Sequence, residues 1–145
     1  MYGSTPTEVR KQLVKVPWNG SYVLFSKVNG AAAALAAVNR ELQQHPELKK
    51  YLVSSGTFNW RYIRGTKRLS SHAFATAIDI GVAKYADYWK NSGLSEASTQ
   101  LVYRNRMPLE LAKIFEKHGF IWGGYWYHYD TMHFEYHPEI IAANP

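Results

Sequence analysis

A carboxylate stands inside an apolar run, Ala77-Ile78-Asp79-Ile80-Gly81-Val82. The hydrophobes around it predict a short buried strand from Thr76 to Ile80. A buried charge must be paired or metal-bound, so any fold open to this chain has to build a partner for Asp79.

The chain narrows what that partner can be. It has no cysteine, which excludes disulfides, thiolate zinc sites, iron–sulfur ligation and a cysteine nucleophile. It also lacks a GxSxG elbow, an HExxH helix and a GxxxxGK[ST] phosphate loop. Histidine and carboxylate remain. His72 precedes Asp79 by seven residues, and a second cluster runs Asp130-Thr131-Met132-His133-Phe134-Glu135. If Met132 to Tyr136 is a strand, His133 and Glu135 share one face and Phe134 points to the core. Two His and one Asp suit Zn²⁺ and leave a fourth position for water, and a neighbouring carboxylate can act as base and then acid. Each piece has an ordinary alternative: a loop histidine at His72, a half-buried strand histidine at His133, turn chemistry at Asp130.

The remaining pattern predicts a small α+β domain, a short and mainly antiparallel sheet flanked by helices. Ser21 to Lys27 reads as a strand. Asn29 caps a helix from Gly30 to about Gln44 with a Leu35, Val38, Leu42 stripe. Pro46 starts a short helical piece ending near Gly56. Thr57 to Ile63 alternates as a strand with one aromatic face. Pro108 stands in the first turn of a helix to Lys117 or His118, with Leu111, Ile114 and Phe115 inward and Gly119 as its stop. With 145 residues, and neither repeats nor linkers, residues 1–145 form a single domain. No apolar run is long enough to span a membrane, and a monomer is expected.

Ser70-Ser71-His72-Ala73-Phe74-Ala75-Thr76-Ala77-Ile78-Asp79 resembles the SxHxxGxAxD motif of the LAS-type zinc peptidases, in their D-alanyl-D-alanine carboxypeptidase and L-alanyl-D-glutamate peptidase branch. Gly119-Phe120-Ile121-Trp122-Gly123-Gly124-Tyr125-Trp126, followed by Asp130-x-x-His133-Phe134-Glu135, resembles that branch's second motif. Phe58-Asn59-Trp60-Arg61 resembles the aromatic-Arg segment before the first. The motifs run in the family's order over about residues 57–137.

The resemblance implies a D-Ala-D-Ala peptidase/hedgehog-like fold and a single zinc peptidase catalytic domain. It implies His72, Asp79 and His133 as Zn²⁺ ligands, Asp130 as the catalytic carboxylate and Arg61 as the cation facing substrate and oxyanion. It also implies a supporting hydrogen-bond role for Ser70. Trp126 would line the substrate groove, and Glu135 would orient a ligand from behind. His128 is a reserve polar contact, while His45, His118 and His137 read as surface or helix-end residues. The family glycine is Ala75 here, and alanine predicts an ordinary φ at that position.

The substrate class implied is the peptidoglycan stem peptide. Asp130 in place of Glu, and the Trp-Gly-Gly-x-Trp segment, look more like an L-alanyl-D-glutamate endopeptidase. Asn59-Trp60-Arg61-Tyr62-Ile63-Arg64-Gly65 looks like domains labelled D-alanyl-D-alanine carboxypeptidase. A non-catalytic wall-binding domain of the same fold is the other alternative. The net charge of +6 first suggests an anionic partner. Arg61, Arg64, Lys67 and Arg68 read as a solvated basic loop or as a reader of the acidic stem peptide. Nucleic acid, with Trp60 and Tyr62 as stacking platforms, leaves the His and Asp motifs without a role, so no nucleic-acid partner is expected. The first fifteen residues lack the profile of a signal peptide. A wall substrate then implies an extracytoplasmic fragment of a longer precursor, or a phage lysin.

Overall fold

Thr5 caps the first helix, α1 (Pro6–Lys11): its hydroxyl accepts the Glu8 amide, and Pro6 needs no partner for a missing N–H. Strands β1 (Leu13–Trp18) and β2 (Ser21–Ser26) follow as an antiparallel hairpin turned by Asn19-Gly20, at φ 49° and 82°. Asn-Gly supplies the positive φ that a two-residue hairpin turn requires. Pro17 is tolerated because this hairpin is a sheet of only two strands, open at both edges.

Helix α2 (Ala31–Leu42) buries the expected Leu35, Val38 and Leu42. Its start differs from the sequence expectation. Asn29 does not cap it: Asn29 and Gly30 both take left-handed conformations (φ 56° and 77°), and Gly30 is the capping residue without a side-chain bond. The Asn29 carbonyl is taken instead by the Tyr136 hydroxyl at 2.9 Å. Pro46 opens a 3₁₀ segment that ends at Tyr51, and β3 (Ser54–Gly56) comes next.

Strand β4 (Ala77–Ile80), helix α3 (Leu109–Lys117), strands β5 (Phe120–Trp122) and β6 (His133–Tyr136) and helix α4 (Pro138–Ala143) complete the order. The second sheet runs β3-β4-β6-β5, antiparallel throughout, so the chain has the small α+β architecture. This computed structural model describes residues 2–62, 68–82 and 84–143.

No strand forms over residues 57–61, contrary to the alternation of aromatics there. Alternation makes a strand only where a neighbouring strand can pair with it. Here the backbone is spent on the loop that follows: Asn59 N–H donates to the His72 carbonyl at 3.0 Å, and Ser70 N–H to the Arg61 carbonyl at 2.9 Å. Tyr62 makes a single bridge to Leu69. Ile63, Arg64 and Lys67 fall outside the described residues.

The core lies between the four-stranded sheet, α2, α3 and the hairpin. Ile78, Ile80 and Phe134 turn inward from β4 and β6 and meet Leu111 and Phe115 of α3. Phe115 stacks on Phe134 with ring centroids 3.9 Å apart. Trp18 reaches in from the hairpin and donates its indole N–H to the Leu52 carbonyl. Pro108 precedes α3 as its capping residue rather than lying in its first turn, one residue off the expectation. Among the described residues, no helix is long and apolar enough to cross a membrane.

Candidate active site

The opposite face of β4 and β6 carries polar chemistry. The register sets Asp79 directly across from His133 and Ala77 across from Glu135. Strand alternation sends Ile78, Ile80 and Phe134 into the core and leaves Asp79, His133 and Glu135 together on the other face. Asp79 Oδ1 lies 3.1 Å from His133 Nδ1.

His72 reaches the same point from a 3₁₀ turn, Ser71–Phe74. Ser70 caps this turn: its hydroxyl accepts the His72 amide at 3.3 Å. The turn exits through Ala75, whose φ of +54° is left-handed. This corrects the expectation of an ordinary φ. The Ala75 amide must fold back onto the His72 carbonyl (3.2 Å), while its own carbonyl accepts the Ser26 amide (2.9 Å). Those two bonds impose the conformation, at a cost of about 1–2 kcal/mol for a residue with a Cβ. Alanine is the smallest residue that carries a Cβ, and here it is fully buried.

Both imidazoles are locked from behind. His72 Nδ1 lies 3.2 Å from the Thr57 carbonyl, an acceptor only, so Nδ1 carries the proton and Nε2 presents a lone pair. That Nε2 is buried and makes no hydrogen bond, although it lies 3.2 Å from Asp79 Oδ2: the two atoms converge on one point without bonding each other. His133 Nε2 lies 2.8 Å from Glu135 Oε1, so Nδ1 is the nitrogen turned toward Asp79: it donates to that carboxylate when the ring is protonated and would offer its lone pair to a cation when the ring is neutral. These tautomers follow from the hydrogen-bond network. The donor atoms of His72, Asp79 and His133 lie within 4.8 Å of one another. Two imidazole nitrogens and one carboxylate, oriented by partners on their far sides, form a donor set that fits Zn²⁺.

The electrostatics of this trio are set by its own contacts. Burial by itself would raise Asp79, but the two imidazoles beside it, His133 and His72, outweigh burial and hold its carboxyl far below the ordinary range. Burial by itself would lower His133, and the bonds to Asp79 and Glu135 reverse this, so its pKa is raised. A protonated His133 and a bound cation therefore compete for the same carboxylate.

Asp130 stands apart from this trio. It bridges Tyr88, and its carbonyl accepts the His133 amide at 3.2 Å. Its Oδ1 is buried and has no hydrogen-bond partner. Burial pushes its pKa up to about 6; Asp79 adds to the rise, while His133, His72 and Arg61 oppose it. Arg61 is exposed, and its charge acts on Asp130 across the site. A buried carboxylate whose pKa is pushed toward neutrality, beside a group of residues that could hold a cation, is equipped to move protons.

The aromatics of residues 122–129 divide into two sets. Trp122 and Tyr129 are buried, whereas Tyr125, Trp126 and Tyr127 are exposed. The Trp126 ring lies 5.5 Å from the His133 ring and flanks the site. Gly123 and Gly124 make a 3₁₀ turn. A Cβ on Gly123 would collide with the Asp130 carbonyl, and one on Gly124 with the Trp122 ring. These glycines thus permit the close approach that seats Asp130. His128 braces a loop, its Nε2 lying 2.8 Å from the Glu96 carbonyl.

His137 directly precedes α4, where its carbonyl accepts the Ile140 amide, so it stands at a helix end as expected; the sequence reading gave it no contact with the site. It is half-buried and engaged at both ring nitrogens, with Glu135 Oε2 at 2.6 Å and Glu139 Oε1 at 2.8 Å. The available signal was its spacing: His133, Glu135 and His137 recur every second residue, the period that groups side chains on one side of an extended chain. Of the basic loop, Arg61 and Arg68 are exposed; Arg64 and Lys67 lie outside the described residues.

A family model described as D-alanyl-D-alanine carboxypeptidase matches residues 64–136. The match takes in His72, Asp79, Asp130 and His133 and begins just after Arg61. No curated protein and no solved structure matches the chain.

Proposed function

The chain belongs to the D-alanyl-D-alanine carboxypeptidase family of peptidases, and from that premise we propose that it hydrolyses peptide bonds in peptidoglycan stem peptides with Zn²⁺ held by His72, Asp79 and His133. The observation that carries this reading is that, of three buried side-chain polar atoms without a hydrogen bond among the described residues, two, His72 Nε2 and Asp130 Oδ1, lie at this site; the third is Asn19 Oδ1 in the hairpin turn. A fold seldom leaves such atoms unpaired unless a ligand or reactant completes them.

When bound, Zn²⁺ supplies a Lewis acid and lowers the pKa of water. Asp130 accepts a proton from the attacking water as the carbonyl is attacked, then passes it to the leaving amine. Its pKa near 6 suits both tasks at neutral pH. The Arg61 guanidinium, charged at any working pH, faces the oxyanion that develops on the carbonyl oxygen. Trp126 walls the groove beside His133. Ser70 supports the site through the His72 turn, and Glu135 fixes the His133 tautomer.

The bond we assign is L-alanyl-D-glutamate, on Asp130 in place of Glu and on the Trp-Gly-Gly-x-Trp segment. The family description favours a second reading, removal of the terminal residue from D-alanyl-D-alanine. The wall is anionic and the chain carries +6, which favours encounter. A wall substrate also implies action outside the cytoplasm, as an exported protein or a phage lysin, by a monomer.

Mass spectrometry of muropeptides incubated with the zinc-loaded protein tests this. The expected products carry a new alanyl or glutamyl terminus, and a chelator abolishes them. Zinc binding and wall binding without any cleavage product would sink the enzyme reading and leave a binding module.

A further inference from the structure

Strand β6 and the start of α4 set four side chains in an alternating row: His133, Glu135, His137, Glu139. Successive groups lie 2.8, 2.6 and 2.8 Å apart. Side-chain exposure rises outward along the row, 9%, 15%, 34% and 65%. The row therefore runs from the centre of the site to solvent. The backbone at its bend is pinned, since His137 N–H donates to the Gly119 carbonyl at 2.9 Å and the His137 carbonyl accepts the Ile140 amide at 3.1 Å.

We propose that His137 is a positioning residue for the metal centre: by gripping Oε2 of Glu135 it holds Oε1 on His133, and so keeps His133 Nδ1 turned toward Asp79. The proposal rests on His133 being a ligand, the reading given above.

Glu135 alone could not do this reliably. A carboxylate on a flexible stem has two equivalent oxygens and can swing between them. Ser71 Oγ, at 3.5 Å from His133 Nε2, is too distant to take over. With Oε2 tied to His137, the carboxylate has one orientation left, and the His133 ring turns with it. His137 can serve because it donates from both nitrogens. Its bond to Glu135 raises its pKa to about 9 against the opposing effect of burial, and Glu139 adds to the rise. At neutral pH it is an imidazolium with one N–H for each carboxylate. Its positive charge also tempers the basicity that Glu135 passes to His133, so its influence on the ligand is both geometric and electronic.

The test is zinc affinity by chelator competition on the full 145-residue chain, with cobalt(II) absorption as a spectroscopic readout of ligand geometry. His137→Ala should release zinc about tenfold more readily and alter the cobalt spectrum, the scale found when a ligand's outer partner is lost. His137→Gln keeps an N–H donor near the ring Nε2 position and should restore affinity to within about threefold of the parent. If His137→Ala does not fold, His137→Asn replaces it, being polar but too short to reach Glu135. Equal affinity in parent and His137→Ala would overturn the proposal. So would equal losses in the Gln variant and in the Ala or Asn variant, since a merely structural role would not be rescued by the longer amide. A parent chain that binds no zinc would overturn the metal-site reading itself, and that outcome is separately visible.

Discussion

Asp79 and His133 face each other across the β4–β6 ladder with Oδ1 and Nδ1 3.1 Å apart, although 54 residues separate them in sequence. The register that makes them neighbours also turns Ile78 and Phe134 into the core. A slip of one residue would send the polar set inward and the hydrophobes out, so core packing itself holds the site together.

His72→Ala should remove one donor and with it most zinc affinity. In the parent, added zinc should raise the melting temperature, because a ligand bound only by the folded state stabilises it by mass action. The variant should show little of that rise. A zinc-induced shift of parental size in His72→Ala would remove His72 from the ligand set.

The pH dependence of hydrolysis should report Asp130. As a base it must be ionised, and burial pushes its pKa up to about 6 in the chain alone. A bound cation can only pull that value down, so the acid limb of kcat/KM falls at or below pH 6 and steepens toward tenfold per unit. Asp130→Asn should lose at least about 10²-fold in kcat, in keeping with removal of a general base, while retaining zinc. An acid limb that survives unchanged in the residual activity of Asp130→Asn would assign it to another group.

Stability should move the opposite way. A carboxyl whose pKa is raised on folding weakens the fold when ionised: the cost is full above pH 6 and absent below about 4. Metal-free Asp130→Asn should therefore be more stable than the parent at pH 7.5, on the order of 1 kcal/mol. Urea midpoints across pH should show this gap closing as pH falls from 6 toward 4. A gap that widens on acidification contradicts the buried, unpartnered carboxylate.

Ala75 offers a backbone test. Glycine there would relieve left-handed strain but lose a buried methyl and gain unfolded-state freedom, terms of about 1 kcal/mol each. Ala75→Gly should change stability by less than about 1 kcal/mol. Ala75→Val places a β-branched residue at φ +54° in a fully buried position and should destabilise by more than about 2 kcal/mol. Thermal melts of the two variants, differing by only a few carbons, separate strain from packing. A Val variant as stable as the parent would mean that the turn does not need this conformation.

Much of the molecule was legible in one dimension. The Leu35, Val38, Leu42 stripe and the Leu111, Ile114, Phe115 face read directly as helices, because a helix repeats its environment every three or four residues. Asp79 among hydrophobes announced a buried carboxylate in need of partners, and the absence of cysteine left histidine and carboxylate to supply them. The resemblance of the motifs then grouped His72, Asp79, Asp130 and His133.

What the tertiary structure decided lies in relations that no local pattern encodes. Thr57 to Arg61 alternate like a strand yet spend their backbone on the His72 loop, since pairing depends on what lies alongside. The positive φ at Ala75 comes from two hydrogen bonds, one reaching back to His72 and one from distant Ser26. The tautomers of the two imidazoles are set by the Thr57 carbonyl and by Glu135, and Glu135 is set in turn by His137. Sequence fixes which chemical groups exist and their period along the chain. Which lone pair faces which proton is settled only when register and packing bring segments far apart in the chain within hydrogen-bond reach.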